Sequence, residues 1–575
     1  MNQRLPRWFS RLLALAVLAT VIYEVGFIVE ITRELHWSTG LLVMLFTLEH
    51  VINLRRSANP RLYLREWGFH LGVAAVAVIL TLWLFIDPWL EGQGDKFAIL
   101  TYGSIHGGML LSLGLRAVRH QAQITGLNLR PGWLLMGSFL LIILMGTLLL
   151  KLPRAVVDGE SISWVDAAFT STSAVCVTGL SVENTALFFT PTGQVIILGL
   201  IQIGGLGIMT LTFYLSTMLL KGMSFHDRQI LGEMISEKHL AQVADTVRFI
   251  VVFTFAVEAL GAVGIFFSLP ADGDVAERLF QSVFHAISAF CNAGFSTLKD
   301  NLADPSIRDL TGIQLVVCAL IISGGIGAVV VRDVLVFGRQ FFRRFSDPAQ
   351  LRPRLRVHTR LVLTATALLL FGGAFCLYVS EFWLHQGEAN AGRWMTAFFH
   401  SVTARTAGFN TVDMGAIGPV TVHLLVLFML IGGSPGGTAG GVRTTVFAAA
   451  VVHLWNLIRN TSDLVLFRRT MASDVGPRAL AVLVLSMGWL FINFAILRQV
   501  QPDVSDAKLV FELVSAFATV GLSMNLTADL TEAAKWIIML NMFVGRIGLI
   551  TVVSTLIPPN TKRRAQRPSE EIILV

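Results

Sequence analysis

Four short segments of this 575-residue chain read alike: Ser173-Ala-Val-Cys-Val-Thr-Gly179-Leu180, Ser288-Ala-Phe-Cys-Asn-Ala-Gly294-Phe295, Val402-Thr-Ala-Arg-Thr-Ala-Gly408-Phe409 and Ser515-Ala-Phe-Ala-Thr-Val-Gly521-Leu522. Their glycines are separated by 115, 114 and 113 residues. A spacing held this closely over four copies is an internal repeat, and a repeat constrains the fold more than any single motif does. Each copy keeps the same neighbours. An apolar stretch lies upstream; then come a connector, a short helix-like run (residues 164–175, 278–291, 393–405 and 508–519), the glycine, a polar stretch and a second apolar stretch.

Composition decides the solvent. With 54% hydrophobic and 14% charged residues, the chain has too little polar surface to cover a soluble globule of its length. Apolar stretches near the roughly 20 residues that span a hydrocarbon core run over 133–152, 195–220, 249–269, 313–337, 361–379, 422–454, 479–497 and 536–556. The stretch 9–31 follows Arg4, Arg7 and Arg11 but lacks a small-residue cleavage site, so it reads as a retained helix and not as a signal peptide. The net charge of +7 does not point to nucleic acid, because the basic residues fall between apolar spans. The positive-inside rule accounts for them. Arg339, Arg343, Arg344, Arg352, Arg354, Arg356 and Arg360, and the C-terminal Lys562, Arg563, Arg564 and Arg567, mark cytoplasmic segments, whereas Asp272, Asp274 and Glu277 mark an external connector. Cys176, Cys291, Cys318 and Cys376 form no CxxC pair and lie in apolar text, which indicates packing and not zinc or disulfides.

The helix-like runs are too short to cross a membrane. A half-length helix followed by irregular backbone, set between two full spans, describes a re-entrant loop that must line an aqueous cavity or be buried in protein. A permeating cation exchanges its hydration shell for oxygens, and backbone carbonyls supply them without the deep trap of a fixed carboxylate. Aiming successive carbonyls at one axis needs a position free of the Cβ restriction, which glycine provides. Gly179, Gly294, Gly408 and Gly521, with carbonyls from Thr178, Ala293, Ala407 and Val520, can therefore surround one pseudo-fourfold pore. The half-helices would direct their partially negative C-terminal ends at a cation there. No motif holds Asp or Glu, which argues against a calcium-type carboxylate ring. Any one motif alone reads more readily as close helix packing through small residues than as a filter; four in register reverse that.

These segments, and Phe-Asn-Thr-Val-Asp after Gly408, resemble the four filter strands of the Ktr/Trk/HKT superfamily of potassium transporters, most nearly its bacterial Ktr-type (TrkH-like) membrane subunit. The likeness runs from about residue 130 to the C-terminal Arg567-Pro-Ser-Glu-Glu-Ile. It implies an all-α integral membrane fold of four tandem helix–pore loop–helix repeats (130–222, 223–340, 341–460 and 461–557) with a cytoplasmic tail over 558–575, and it leaves residues 1–129 outside as an N-terminal auxiliary transmembrane region. It implies potassium binding at Val177, Thr178, Gly179, Asn292, Ala293, Gly294, Thr406, Ala407, Gly408, Thr519, Val520 and Gly521; chemistry alone says only a monovalent cation. Glycine in the first copy accompanies potassium selectivity in the family, and some plant relatives with serine there prefer sodium.

Gly432-Gly433-Ser434-Pro435-Gly436-Gly437-Thr438-Ala439-Gly440-Gly441 interrupts an apolar span that so many glycines and a proline must break. It resembles the intramembrane gating loop of the family. A phosphate-binding loop would need Gly-Lys-Ser/Thr after a strand, and this stretch lacks it. Two departures stand out: Val442-Arg443-Thr444-Thr445 replaces the usual Ile-Lys-Thr-Thr, and Pro435 replaces a small polar residue. Arg546 sits mid-span, where a charge is a functional candidate by default. It resembles the family arginine that projects below the filter and opposes passage at rest; the alternative is a structural ion pair with an acid. His285 and His400, inside the half-helices, read as structural.

The resemblance implies a homodimer in the bacterial inner (cytoplasmic) membrane, seated on a cytoplasmic KtrA/TrkA-type regulatory ring, with lipid but no nucleic acid as partner. The chain would have no covalent cofactor, with potassium as substrate and nucleotide bound by the partner subunit. The region before 130 holds further apolar stretches (9–31, 41–52, 70–90 and 97–115), the second of them short. Its arginines flank these stretches and do not recur along one, so scaffolding or dimerisation suits it better than voltage sensing. A sodium-selective or sodium-coupled carrier stays open as an alternative. An integral-membrane enzyme is disfavoured by the lack of HExxH, GxSxG or clustered carboxylates.

Overall fold

The computed structural model describes residues 33–55, 60–86, 131–221, 238–270, 274–346, 354–383, 391–459, 465–472 and 474–556, with isolated positions between 12 and 109. The basic tail and most of the expected spans over 9–31 and 97–115 lie outside the described residues. The chain divides into two compact units, Met1–Leu129 with Lys151–Ser161, and Arg130–Leu150 with Ile162–Val575.

In the first unit, Arg33–Arg55 and Pro60–Ile86 are helices that pack through Val43, Phe46, Ala74 and Ala77. The short apolar run over 41–52 is thus the middle of a 23-residue helix. Ser38 and Thr39 extend it, since a helix satisfies its own backbone whatever the polarity of the side chains at its end.

The second unit repeats one plan. Long helices Pro131–Leu150, Lys238–Ser268, Val357–Glu381 and Val475–Val500 each precede a half-helix, Trp164–Val175, Val275–Cys291, Ala391–Thr403 or Asp506–Ala518. Ser163 and Asp274 cap two of these half-helices, accepting from the backbone N–H of Asp166 at 3.0 Å and of Ala276 at 3.2 Å. After each glycine motif a second helix follows: Pro191–Lys221, Thr311–Ile326, Pro419–Leu430 and Glu532–Ile547.

Three of these second helices do not run straight on. The apolar stretches over 313–337 and 536–556, which read as single spans, turn by 97° and 92° into Ala328–Ser346 and Leu549–Leu556. The turns fall at Gly327 (φ +90) and Gly548 (φ +94), a backbone region that only glycine enters freely. In the third repeat the chain leaves helix at Ile431 and resumes it at Thr444, so the glycine-rich segment is a break as expected. The all-α expectation meets small exceptions among the described residues, such as a short hairpin pairing Val465–Leu466 with Arg469–Thr470 and a parallel bridge between Ile431 and Val442.

The packing is that of a membrane protein. Outward positions are apolar, as at Leu140, Leu141, Leu144 and Leu148 of one helix or Phe491 and Ile492 of another. The deepest side chains lie on the half-helices and just after the glycines, among them Phe169, Phe284, Phe290, Phe295, Phe399, Phe409 and Phe517. Four described helices are long and apolar enough to cross a bilayer, six if each bent pair is one span. The chain is a multi-pass membrane protein.

Candidate cation pathway

The four glycine motifs converge. After each half-helix a left-handed residue stands two positions before the glycine: Val177 (φ 55), Asn292 (φ 60), Thr406 (φ 79) and Thr519 (φ 52). The glycines are left-handed too, at φ +95, +69, +78 and +94, while Thr178, Ala293, Ala407 and Val520 between them are not. Alternating the sign of φ residue by residue cancels the two-sided alternation of a β-strand and lets successive carbonyls share one side. Positive φ at Val177 or Thr406 is costly for a β-branched side chain, and the surrounding hydrogen bonds hold it. The N–H groups of Thr178, Ala293 and Val520 donate to the carbonyls of Ser173, Ser288 and Ser515 at 2.7–2.8 Å. The first serine of the motif then explains itself: the hydroxyls of Ser173 and Ser515 each accept from the glycine N–H at 3.0 Å, and Ser288 donates to the Phe295 carbonyl at 2.7 Å. In the third copy Val402 has no hydroxyl, and Ala407 N–H turns to Thr403 O at 2.9 Å instead.

The strands close into a cycle. A Cβ built on Gly179 would stand 2.5 Å from the Ala293 carbonyl oxygen, and one on Gly294 would stand 2.8 Å from that of Ala407. On Gly408 it would overlap the Val520 carbonyl, and on Gly521 that of Thr178. Strand one thus meets two, two meets three, three meets four and four returns to one. On one side of this ring a cavity of about 340 Å³ is lined by the four glycines and by the chain that follows them, including Ser181, Asn184, Asn410, Ser523 and Asn525.

The glycine-rich segment lies on the other side. A Cβ on Gly441 would touch Ala518, and one on Gly440 would overlap the Thr519 hydroxyl. The segment is buried apart from its partly exposed Pro435 and Gly441 and is tied to its neighbours. Ser434 N–H donates to Gly325 O at 3.1 Å, Thr438 N–H to Gly324 O at 3.2 Å and Gly441 N–H to Gly545 O at 3.3 Å. Arg443 Nη1 donates back to Ser434 O at 3.2 Å. Arg546, 1% exposed, donates from Nη1 to the Thr438 carbonyl and from Nη2 to Gly204 O at 3.1 Å. Its hydrogen-bond partners are carbonyls, and among the described residues no carboxylate pairs with it.

The sequence profile of the TrkH family, described as cation transport protein, matches residues 136–562. The chain belongs to the TrkH family of cation transport proteins. It is 35% identical over 457 residues to the potassium/sodium uptake protein NtpJ of Enterococcus hirae, covering 78% of this chain and 98% of that one. It is 36% identical over 432 residues to the Ktr system potassium uptake protein B of Bacillus subtilis, covering 74% and 92%. Among solved structures, the potassium transporter TrkH from Vibrio parahaemolyticus superposes with a TM-score of 0.58 at 18% identity, over 90% of this chain and 98% of that one, which speaks to the fold alone.

The structure of this TrkH-family chain adds residues that the sequence did not single out. Lys535 Nζ contacts Asp166 Oδ1 at 2.6 Å, both side chains being more than four-fifths buried; the pair joins the last second helix to the first half-helix. Glu512 accepts from the Thr527 hydroxyl, and His285, structural as expected, bridges Gln281 O (2.7 Å) and the Ser296 hydroxyl (2.8 Å). Both strap a half-helix to the loop after its glycine. A second recurring motif also emerges: Gly204-Gly205-Leu206-Gly207, Gly324-Gly325-Ile326-Gly327 and Gly545-Arg546-Ile547-Gly548. Its first glycine seats against a half-helix carbonyl, of Val175, Phe290 or Phe517.

Proposed function

We propose that this TrkH-family protein takes up potassium across the bacterial cytoplasmic membrane through one pseudo-fourfold pore. The carbonyls at and before Gly179, Gly294, Gly408 and Gly521 would form its selectivity filter. The observation that carries the reading is the closed cycle of four left-handed glycines, each backed by the carbonyl of the next strand. Such a ring presents oxygens at close quarters and no carboxylate, which suits a monovalent cation. The segment Gly432–Gly441 would be the gate: it lies across the inner side of the ring, and Arg546 holds it by a carbonyl. The driving force would be the membrane potential, about 2.3 kcal/mol per charge per 100 mV.

The Bacillus subtilis relative is named as part of a Ktr system, which supports a partner subunit; the assembly proposed for this chain is a homodimer working with a cytoplasmic nucleotide-binding ring. The basic stretch from Arg339 to Arg360 is the expected docking surface. Uptake of potassium, rubidium, sodium and lithium into proteoliposomes tests the pore; equal sodium and potassium permeation defeats the selectivity. Because the Enterococcus hirae relative is named a potassium/sodium uptake protein, sodium permeation or coupling is the second reading, and the same flux series decides it. Gly408→Asp should abolish uptake, and normal transport in that variant would remove the filter from the account. Complementation of a potassium-uptake-deficient bacterium, with and without a co-expressed regulatory subunit, tests the partner.

A further inference from the structure

The helix Ala328–Ser346 leaves the span Thr311–Ile326 at 97°. A helix at right angles to a membrane-crossing one runs along the plane of the bilayer. Its depth follows from its neighbours. The span starts just past the loop that lines the cavity at Ser296 and Asn301 and is 16 residues long, about 24 Å at 1.5 Å per residue. Against a hydrocarbon core of about 30 Å, its far end comes near the opposite boundary. A Cβ built on Gly327 would stand 3.0 Å from the backbone of Gly436 and Gly437, so the helix starts beside the glycine-rich segment, on the side of the ring away from the cavity. Its arginines mark that side as cytoplasmic.

The first turns of this helix are tied down. Arg332 Nη1 donates to the Thr246 hydroxyl at 2.6 Å, and Asp333 Oδ2 accepts from the Thr359 hydroxyl at 2.6 Å and from Arg356 N–H at 3.2 Å. The turns beyond are bare. Val334, Leu335, Phe341 and Phe342 are exposed, Phe342 to 72%, and at 3.6 residues per turn they fall within one arc of about 120°. Arg332, Arg339 and Arg343 recur at i, i+7 and i+11 and so form one stripe along an edge of that arc. Arg339 and Arg343 are exposed, and neither has an acidic partner among the described residues. Bare phenylalanines are unfavourable in water and a guanidinium is unfavourable in hydrocarbon; the boundary between the two suits both, with rings among acyl chains and guanidiniums on phosphates. A cytoplasmic protein docked on the arginine stripe alone would leave Phe341 and Phe342 in water.

We propose that Ala328–Ser346 is an interfacial helix that binds anionic phospholipid of the inner leaflet, with Phe341 and Phe342 entering the acyl region and Arg339 and Arg343 holding headgroup phosphates. Binding of this kind needs the membrane fold alone and holds whichever cation is carried. It leaves Arg352, Arg354, Arg356 and Arg360, beyond the helix, to a cytoplasmic partner. The test attaches a bimane fluorophore through Phe342→Cys in the full chain carrying Cys376→Ser, because Cys376 is exposed while Cys176, Cys291 and Cys318 are buried. Nanodiscs of phosphatidylcholine carry doxyl-labelled phosphatidylglycerol or doxyl-labelled phosphatidylcholine at equal mole fraction. A basic side chain at an anionic surface is worth about fivefold in binding, so phosphatidylglycerol should quench at least threefold more strongly. Bimane at Phe491→Cys, an exposed position on Val475–Val500, should show no preference. Arg339→Gln with Arg343→Gln should erase the preference and keep the quenching by phosphatidylcholine, a pattern that a misfolded chain does not give. Equal quenching by the two lipids with both arginines present would overturn the proposal, as would a preference that survives their loss. Quenching by aqueous iodide and by neither lipid would put the helix in water, and quenching by none of the three would mean that protein covers the face, as between two copies of the chain; either result overturns it too.

Discussion

The glycine ring makes a ranked prediction, because its four members are not equally constrained. Gly294 has φ +69, inside the left-handed region near +50 to +70° that an L-residue can enter. Its built Cβ stands 2.8 Å from the Ala407 carbonyl oxygen, so that backbone must yield as well, but by less than at Gly521. Gly521 has φ +94, outside that region, and its Cβ would overlap the Thr178 carbonyl, so the carbonyl itself must move. A left-handed L-residue costs about 1–2 kcal/mol. Gly294→Ala should sit near the lower figure, and Gly521→Ala at about 2 kcal/mol or above, because strain and displacement add. If the filter absorbs that energy, the corresponding loss of permeation is roughly fivefold for Gly294→Ala and roughly thirtyfold for Gly521→Ala. Rubidium influx into proteoliposomes at matched protein content gives the rate, and parallel sodium influx gives the selectivity; both should fall more for Gly521→Ala. Thermal midpoints in detergent separate a distorted filter from a misfolded chain and should move by only a few degrees. If Gly294→Ala is as damaging as Gly521→Ala, or if Gly521→Ala keeps the wild-type rate and ratio, the ring geometry does not govern permeation.

Arg546→Gln removes the guanidinium contacts to the Thr438 and Gly204 carbonyls, and should raise rubidium leak severalfold in the absence of any regulatory subunit; an unchanged leak would mean that the arginine does not hold the gate. Asp166→Asn leaves the Lys535 ammonium, 11% exposed, without its counter-charge. The loss should approach the roughly 3–5 kcal/mol of a broken buried pair, read as a lower thermal midpoint that the exchange Asp166→Lys with Lys535→Asp partly restores; no restoration would deny the coupling. Ser515→Ala deletes the hydroxyl that accepts from Gly521 N–H, worth about 1 kcal/mol, and should lower the rubidium-to-sodium flux ratio by a few fold, whereas a ratio equal to wild type would make the serine a packing residue.

The half-helices and the glycine ring were legible in the sequence because a backbone requirement leaves a residue-type mark. Only glycine tolerates φ near +95 against a neighbouring carbonyl, so Gly179 and Gly521 had to be written as glycine, and the repeat displayed them at fixed spacing. The half-helix expected over 278–291 begins at Val275 instead, because the Asp274 cap immediately before it, not the apolar pattern, sets the start. The bends at Gly327 and Gly548 were hidden for the opposite reason. A glycine inside an apolar run reads as close helix packing, which is the role Gly324 and Gly545 do play, and nothing in the local text separates a packing glycine from a turning one three residues on. Side-chain partners far apart in the chain, such as Lys535 with Asp166, left no periodic mark at all.

The second motif was within reach, and it changes how Arg546 is understood. Gly204-Gly-Leu-Gly207 and Gly324-Gly-Ile-Gly327 carry glycine at their second position, and Gly545-Arg-Ile-Gly548 carries arginine there. Gly205 packs on Cys291, and Gly325 lends its carbonyl to Ser434 N–H, so in those copies the position serves close approach of chain to chain. In the fourth copy the same position sends a guanidinium to the broken segment of the third repeat and to the second helix of the first. The asymmetry is therefore where control can enter, since one charged side chain and one broken helix, present once each among the described copies, are joined to one another by the Thr438 carbonyl.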